Sequence, residues 1–123
     1  MNYIWIFIGG GLGSVARFEM GRQITKVTGT AFPFATIAIN FISCLILGFL
    51  AGLLTRKEMA SPVAVLFIGM GFCGGFSTFS TFTAETMELL KAGNFVYAGA
   101  NVIVSVAICL LSFWGGYVMA KFF

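Results

Sequence analysis

Gly74-Gly75-Phe76-Ser77-Thr78-Phe79-Ser80-Thr81-Phe82 lies inside an apolar segment that opens at Pro62 and meets its first charge at Glu85. Twelve residues separate Pro62 from Gly74, which is ~18 Å along a helix. That is mid-depth in a hydrocarbon core ~30 Å thick. A Gly pair is followed there by five hydroxyl side chains between Ser77 and Thr83. Lipid satisfies neither a broken backbone nor a free hydroxyl. The stretch therefore predicts a helix broken near its centre, enclosed by protein or set beside a hydrated path, and it is the leading candidate for function.

Composition fixes the solvent. Of 123 residues, 59% are hydrophobic and 9% charged, against ~25% charged in ordinary soluble domains. The mean hydropathy is +1.02. This pattern identifies an integral membrane protein made of one domain, residues 1–123. A net charge of +3 from dispersed residues does not make a nucleic-acid surface. With no His, His-based metal sites, proton relays and acid-base catalysis are excluded. No Walker loop, metal-ligand cluster or Ser/His or Cys/His pair is present, and the expectation is that the chain is not an enzyme. The three Cys (Cys44, Cys73, Cys109) fall in apolar segments without CxxC spacing and read as small packing residues. No basic n-region precedes the first apolar run, so no cleaved signal peptide is expected.

Four spans follow from the apolar runs: residues 3–23, 34–54, 62–91 and 95–119. In the first, Gly9 and Gly13 form a small-xxx-small pair that lets another backbone approach closely. Arg17 is one turn further on the same face. It reads either as a snorkelling side chain at a helix end or as an anion-attracting residue at a pore mouth. A polar link from Lys26 to Thr30 leads to Pro33. In the second span Thr36, Asn40 and either Ser43 or Cys44 share one face. Asn40 is either an interhelical packing bond or a pore-lining donor. Ser61-Pro62 caps the third span. If the chain is helical after the Gly pair, Phe72, Phe76, Phe79 and Phe82 share one face, with Ser77, Ser80, Thr81 and Ala84 on another. Asn101, Ser105, Cys109 and Ser112 make a polar stripe along the fourth span and suggest a seam shared with the other stripes.

Tyr3 and Trp5 near one terminus, and Trp114 and Tyr117 near the other, fit one interfacial aromatic belt if four spans bring both termini to one side. Arg17, Arg22, Lys26 and Lys91 fall on one side of the bilayer, and Arg56, Lys57 and Lys121 on the other. Such balance selects no orientation, which would allow dual insertion and antiparallel dimers.

The same residues resemble a known family. Gly74 to Phe82 followed by Glu85 is similar to the signature of the Fluc (CrcB) fluoride channels. Ala35-Thr36-Ile37-Ala38-Ile39-Asn40 resembles the family's second-helix motif, and Gly13-Ser14-Val15-Ala16-Arg17 its first-helix motif. The third-helix signature is the specific one, and the match covers all four spans. The resemblance implies an all-α membrane protein of four transmembrane helices, the third broken at its centre, assembled as an antiparallel dual-topology homodimer with two pores. It implies passive, electrogenic efflux of fluoride that entered the cell as a neutral weak acid, conferring fluoride resistance, from a multi-pass position in the cell's inner (plasma) membrane. It also implies one structural sodium ion, not transported, held by backbone carbonyls of Gly74 and Ser77 from both subunits. Phe79 and Phe82 match the pore phenylalanines, Asn40 the second-helix amide, and Ser80 and Thr81 the hydroxyl track. Thr36 and Ser105 match further polar positions, and Arg17 a basic vestibule residue. Cys109 falls where Ser is often found, and a thiol donates weakly.

The chemistry is consistent with these roles. Hydroxyls and the Asn40 amide donate hydrogen bonds in place of water. A phenyl edge is the positive part of its quadrupole, and conduction needs entry without tight retention. The alternative is a small dual-topology multidrug/proton antiporter. It needs a carboxylate deep in the first helix, where this chain has Gly9 to Gly11, with Glu19 only near the end. A non-transporting membrane subunit, or half of an obligate heterodimer, is a third class, and the balanced flanking charge argues only against a fixed-orientation half.

Overall fold

The computed structural model describes residues 2–29, 32–55 and 61–123. Arg56, Lys57 and Glu58, which contribute to the expected charge balance, lie outside the described residues. The described residues are almost entirely helical and contain no strand. Helix α1 is Asn2–Thr28 and α2 is Phe34–Leu54. Helix α3 covers residues 62–76, α4 is Phe79–Lys91, and α5 is Phe95–Met119 with a tighter last turn at Ala120–Phe122.

Local chemistry sets the helix ends. Ser61 accepts the Ala64 amide at 3.1 Å, with Pro62 in the first turn, which is a side-chain cap followed by a residue that needs no donor. Thr78 accepts the Thr81 amide at 3.1 Å and opens α4. Asn94 does the same for Tyr97 at 3.3 Å and opens α5. Gly93, at φ 78°, turns the chain after α4 while the Asn94 amide reaches back to the Leu89 carbonyl at 2.9 Å. A left-handed residue there favours Gly.

Helix α1 continues to Thr28, five residues past the expected end. Glu19 binds Arg22 at 2.8 Å and Gln23 at 2.8 Å, and such pairs three and four apart support an exposed helix. The link expected from Lys26 to Thr30 is therefore helical up to Thr28. In α3, Val65–Cys73 forms wide turns with i→i+5 bonding, a rare geometry often found near functional sites. Nothing in its composition announces it.

The helices pack as two parallel pairs running in opposite directions. Trp5 meets Phe67 edge-on at 6.3 Å. A Cβ on Gly9 would fall on the Phe67 carbonyl, and one on Gly13 on the Phe72 carbonyl. Thus α1 and α3 run side by side in the same sense, with backbones in direct contact. Phe32 meets Tyr97 at 5.5 Å, Gly116 abuts the Leu45 carbonyl, and Gly52 abuts Tyr117 and Ala120. So α2 and α5 are also parallel, and their ends bring Tyr117 to the same end of the bundle as Trp5. Small residues are what permit such approach where lipid supplies no hydrophobic drive between helices. Against α3 and α4, α2 is antiparallel: Thr36 meets Glu85, Asn40 meets Thr78, and Ser43 meets Cys73.

Among the described residues three stretches are long and apolar enough to cross a membrane: Phe34–Leu54, Pro62–Lys91 and Phe95–Phe122. The chain is a multi-pass membrane protein. Helix α1 has the length but carries Arg17, Glu19, Arg22 and Lys26 in its second half.

Candidate functional site

The break falls at Ser77–Thr78 and not at the Gly pair. Gly74 is right-handed helical (φ −63°, ψ −39°), whereas Ser77 (ψ 157°) and Thr78 (φ −150°, ψ 121°) are extended. Gly75 serves packing instead, lying against the Gly10 carbonyl, while Gly74 faces open space. What stops the helix is the hydroxyl-rich pair after Phe76. The Ser77 hydroxyl donates back to the Cys73 carbonyl at 2.7 Å, while Thr78 serves as the cap of α4. Ser and Thr compete with helical bonding in this way.

The expected phenylalanine stripe is split by the same break. Phe72 and Phe76 stack at 5.4 Å, with Phe76 buried. Phe79 and Phe82 form a separate tilted pair.

One face of α2 stitches the broken segment along its length. The Thr36 hydroxyl donates to Glu85 Oε1 at 2.5 Å. Asn40 Nδ2 donates to the Thr78 carbonyl at 3.1 Å, and Asn40 Oδ1 accepts the Thr78 amide at 2.9 Å. The Ser43 hydroxyl donates to the Cys73 carbonyl at 3.2 Å. Of the two candidates for the third place, Ser43 is thus the one on this face. From α1, Arg17 Nε donates to the Gly75 carbonyl at 3.0 Å.

These contacts border an open-sided vestibule of about 710 Å³, lined among others by Ser14, Arg17, Thr36, Thr78, Thr81 and Glu85. Arg22 and Lys26 also reach it, so its lining carries three cations against one carboxyl group. A concave, water-accessible surface with that balance attracts small anions. Arg17, Thr36 and Thr81 therefore come together here, with Asn40 immediately behind Thr78.

The remaining candidate residues lie elsewhere in the chain. Ser80 and Phe79 are exposed on the outer side of α4. Ser105 is buried and donates to Asn101 Oδ1 at 3.1 Å, and Asn101 Nδ2 donates to the Thr86 hydroxyl at 2.9 Å. The Thr86 hydroxyl in turn donates to the Phe82 carbonyl at 2.8 Å. The polar stripe of α5 does not form one seam. Its first half ties α5 to α4, while the Ser112 hydroxyl folds back to the Cys109 carbonyl at 3.0 Å. Gly74 and Ser77 line a separate shallow groove with Ser43, Cys44, Cys73 and Met70.

Thr78 lies inside the stretch singled out by sequence, but its place as cap of α4 and partner of Asn40 was not read from spacing or composition. Its signal is a Thr three residues before Thr81 at the head of an amphipathic run. Glu19, the one carboxylate near the antiporter position, is exposed and bound to Arg22 and Gln23.

Comparison with known proteins adds the lineage. The model of the family described as "CrcB-like protein, Camphor Resistance (CrcB)" matches residues 4–117. The chain belongs to this family. A protein named "Fluoride-specific ion channel FluC" from Methylocella silvestris is 42% identical over 123 residues, covering 98% of this chain and 93% of the relative. Proteins of the same name from Geobacter sulfurreducens and Pseudoalteromonas translucida are 39% and 38% identical. They cover 94% and 90% of this chain, and 94% and 92% of their own lengths. Membership of the CrcB-like family puts the chain among membrane proteins and not among enzymes.

Proposed function

We propose that this CrcB-like chain is a fluoride-selective channel that lets fluoride leave the cell passively. The observation that carries the reading is a cationic, hydroxyl-lined vestibule ending on a helix broken at Ser77–Thr78. Fluoride is small and strongly hydrated, so its water must be exchanged for donors. Thr81 and Ser14 supply hydroxyls at the vestibule wall, where the Thr36 hydroxyl is itself held by Glu85. Arg17, Arg22 and Lys26 raise the local anion concentration. The edges of Phe79 and Phe82 then meet the ion with the weakly positive part of each ring, which favours passage over retention. The names of the relatives support fluoride as the ion.

The working unit is an antiparallel homodimer with two pores, and the fourth crossing is made by α1. Phe79 is 79% exposed beside an exposed Ser80 and an extended backbone. Non-helical backbone at membrane depth is tolerated only against protein or water, and a second copy supplies that cover. Ser80 and Ser105 then join the track in the assembled pair. Balanced flanking charge supports insertion in both orientations, in the plasma membrane.

The backbone at the break also suits a structural sodium ion. The Thr78 amide, which would serve the Gly74 carbonyl in a continuous helix, goes to Asn40 instead. Gly74 faces open space, and Ser77 is extended. Carbonyl oxygens suit a hard cation. The Gly74 and Ser77 carbonyls of two subunits would hold it, adding fixed positive charge at the centre.

Liposomes loaded with fluoride test the reading. Purified protein is expected to release fluoride with charge movement and to ignore chloride. Proton-coupled transport of organic cations without fluoride release would reject it.

A further inference from the structure

The break is held by two side chains from outside the broken segment. Arg17 of α1 donates through Nε to the Gly75 carbonyl at 3.0 Å. In a continuous helix that carbonyl would take the amide of Phe79, which instead opens α4. Asn40 of α2 both donates to and accepts from the Thr78 backbone, at 3.1 and 2.9 Å. The two contacts engage one acceptor and one donor that lose their helical partners where the chain turns extended. Buried backbone groups need such partners.

We infer that Arg17 and Asn40 are positioning residues that clamp the two rims of the break. Together they set where the Gly74 and Ser77 carbonyls and the Phe79 and Phe82 rings point. The backbone clamp stands by itself, while its bearing on permeation rests on the channel reading above.

Three observations separate a clamp from a simple vestibule charge or pore donor. Arg17 is half-buried, and Gly13 one turn earlier is wedged against the Phe72 and Phe76 backbone, which fixes the height at which the guanidinium meets the break. Arg22, on the same vestibule wall, is exposed and bound to Glu19. Asn40 commits its oxygen and one of its two amide hydrogens to the Thr78 backbone, which fixes the plane of the amide against the break whatever the second hydrogen meets. A lysine keeps the charge of Arg17 but replaces its planar donor by a point-like ammonium on a flexible stem. Charge and positioning thus come apart in one substitution.

The test is residue-resolved hydrogen–deuterium exchange on the full chain in lipid nanodiscs, with fluoride release from liposomes measured in parallel. The variants are Arg17→Lys and Asn40→Leu, with Lys91→Gln as a control at the far end of α4. In the wild type the Thr78 amide is expected to exchange at least ~100-fold more slowly than an unstructured amide. Arg17→Lys and Asn40→Leu are expected to speed exchange across residues 76–82 by about ten-fold or more. Both should lower fluoride release about ten-fold, and Lys91→Gln should change neither. A fast Thr78 amide in the wild type overturns the inference, and that measurement needs no variant to fold. Wild-type exchange in Arg17→Lys overturns it as well, and faster exchange with undiminished release removes its bearing on permeation. If the wild type shows a protected Thr78 but no fluoride release, the clamp stands and the channel reading fails.

Discussion

The ring of Phe79 lies 5.5 Å from that of Phe82, tilted by 46°, yet the first is 79% exposed and the second 9%. Two neighbouring rings one helical turn apart thus occupy opposite environments in a single subunit. Phe82 lies on the buried side of α4, where its main-chain carbonyl accepts the Thr86 hydroxyl, which is bound in turn by Asn101. Phe79 has no such cover among the described residues of the chain, and the proposed dimer would supply it. Replacing Phe79 by Val should leave the dimer intact on size-exclusion light scattering. Fluoride release should fall at least about ten-fold, because the aromatic edge is lost from the route. Unchanged release would take Phe79 out of the pore.

Backbone contact between parallel helices makes a second prediction. Gly48 faces the Phe113 carbonyl, whereas a Cβ on Gly11 would meet nothing within 4 Å. Gly48→Ala must force α2 and α5 apart, at a cost of about 1–3 kcal/mol. Gly11→Ala should shift stability by no more than about 0.5 kcal/mol. Thermal unfolding of the two variants in the same detergent gives the comparison, and equal midpoints would contradict the close packing.

The Thr86–Asn101–Ser105 chain is a third target. Asn101 is 1% exposed, and both ends of its amide are bonded. Asn101→Leu leaves the Ser105 and Thr86 hydroxyls short of a partner and should destabilise by about 1–3 kcal/mol. Adding Thr86→Val should cost less than the sum of the single changes, because the shared bond is lost only once. Strict additivity in that cycle would show that the bond contributes nothing.

Sodium should matter to assembly before it matters to flux. Exchanging sodium for N-methylglucamine is expected to lower the dimer's thermal midpoint by several degrees, as loss of any ligand of the native state does. Ser77→Thr should keep the dependence, since the proposed ligand is a backbone carbonyl common to both residues. Stability indifferent to sodium would remove the ion from Gly74 and Ser77.

The sequence by itself determined the solvent, the helices and the chemistry at stake. Its low charge and long apolar runs require a bilayer, and only helices or closed barrels satisfy backbone groups there. Caps at Ser61 and Asn94 and the spacing of Thr36, Asn40 and either Ser43 or Cys44 are local features, legible within a few residues. What Asn40 and Arg17 bind was decided by tertiary structure alone, and the break that Ser77 and Thr78 open locally is held by those same contacts. The Gly pair is intrinsically the weaker helix, yet Gly75 is used to let α1 approach, and the chain opens at Ser77–Thr78, where α2 supplies partners. Asn40 and Arg17 carry donors that suit a backbone or an anion equally well, and only the approach of residues 38 and 58 positions away, respectively, brings them to the backbone. That selection is a matter of which helices touch, and in a membrane it is set by where small residues let backbones meet.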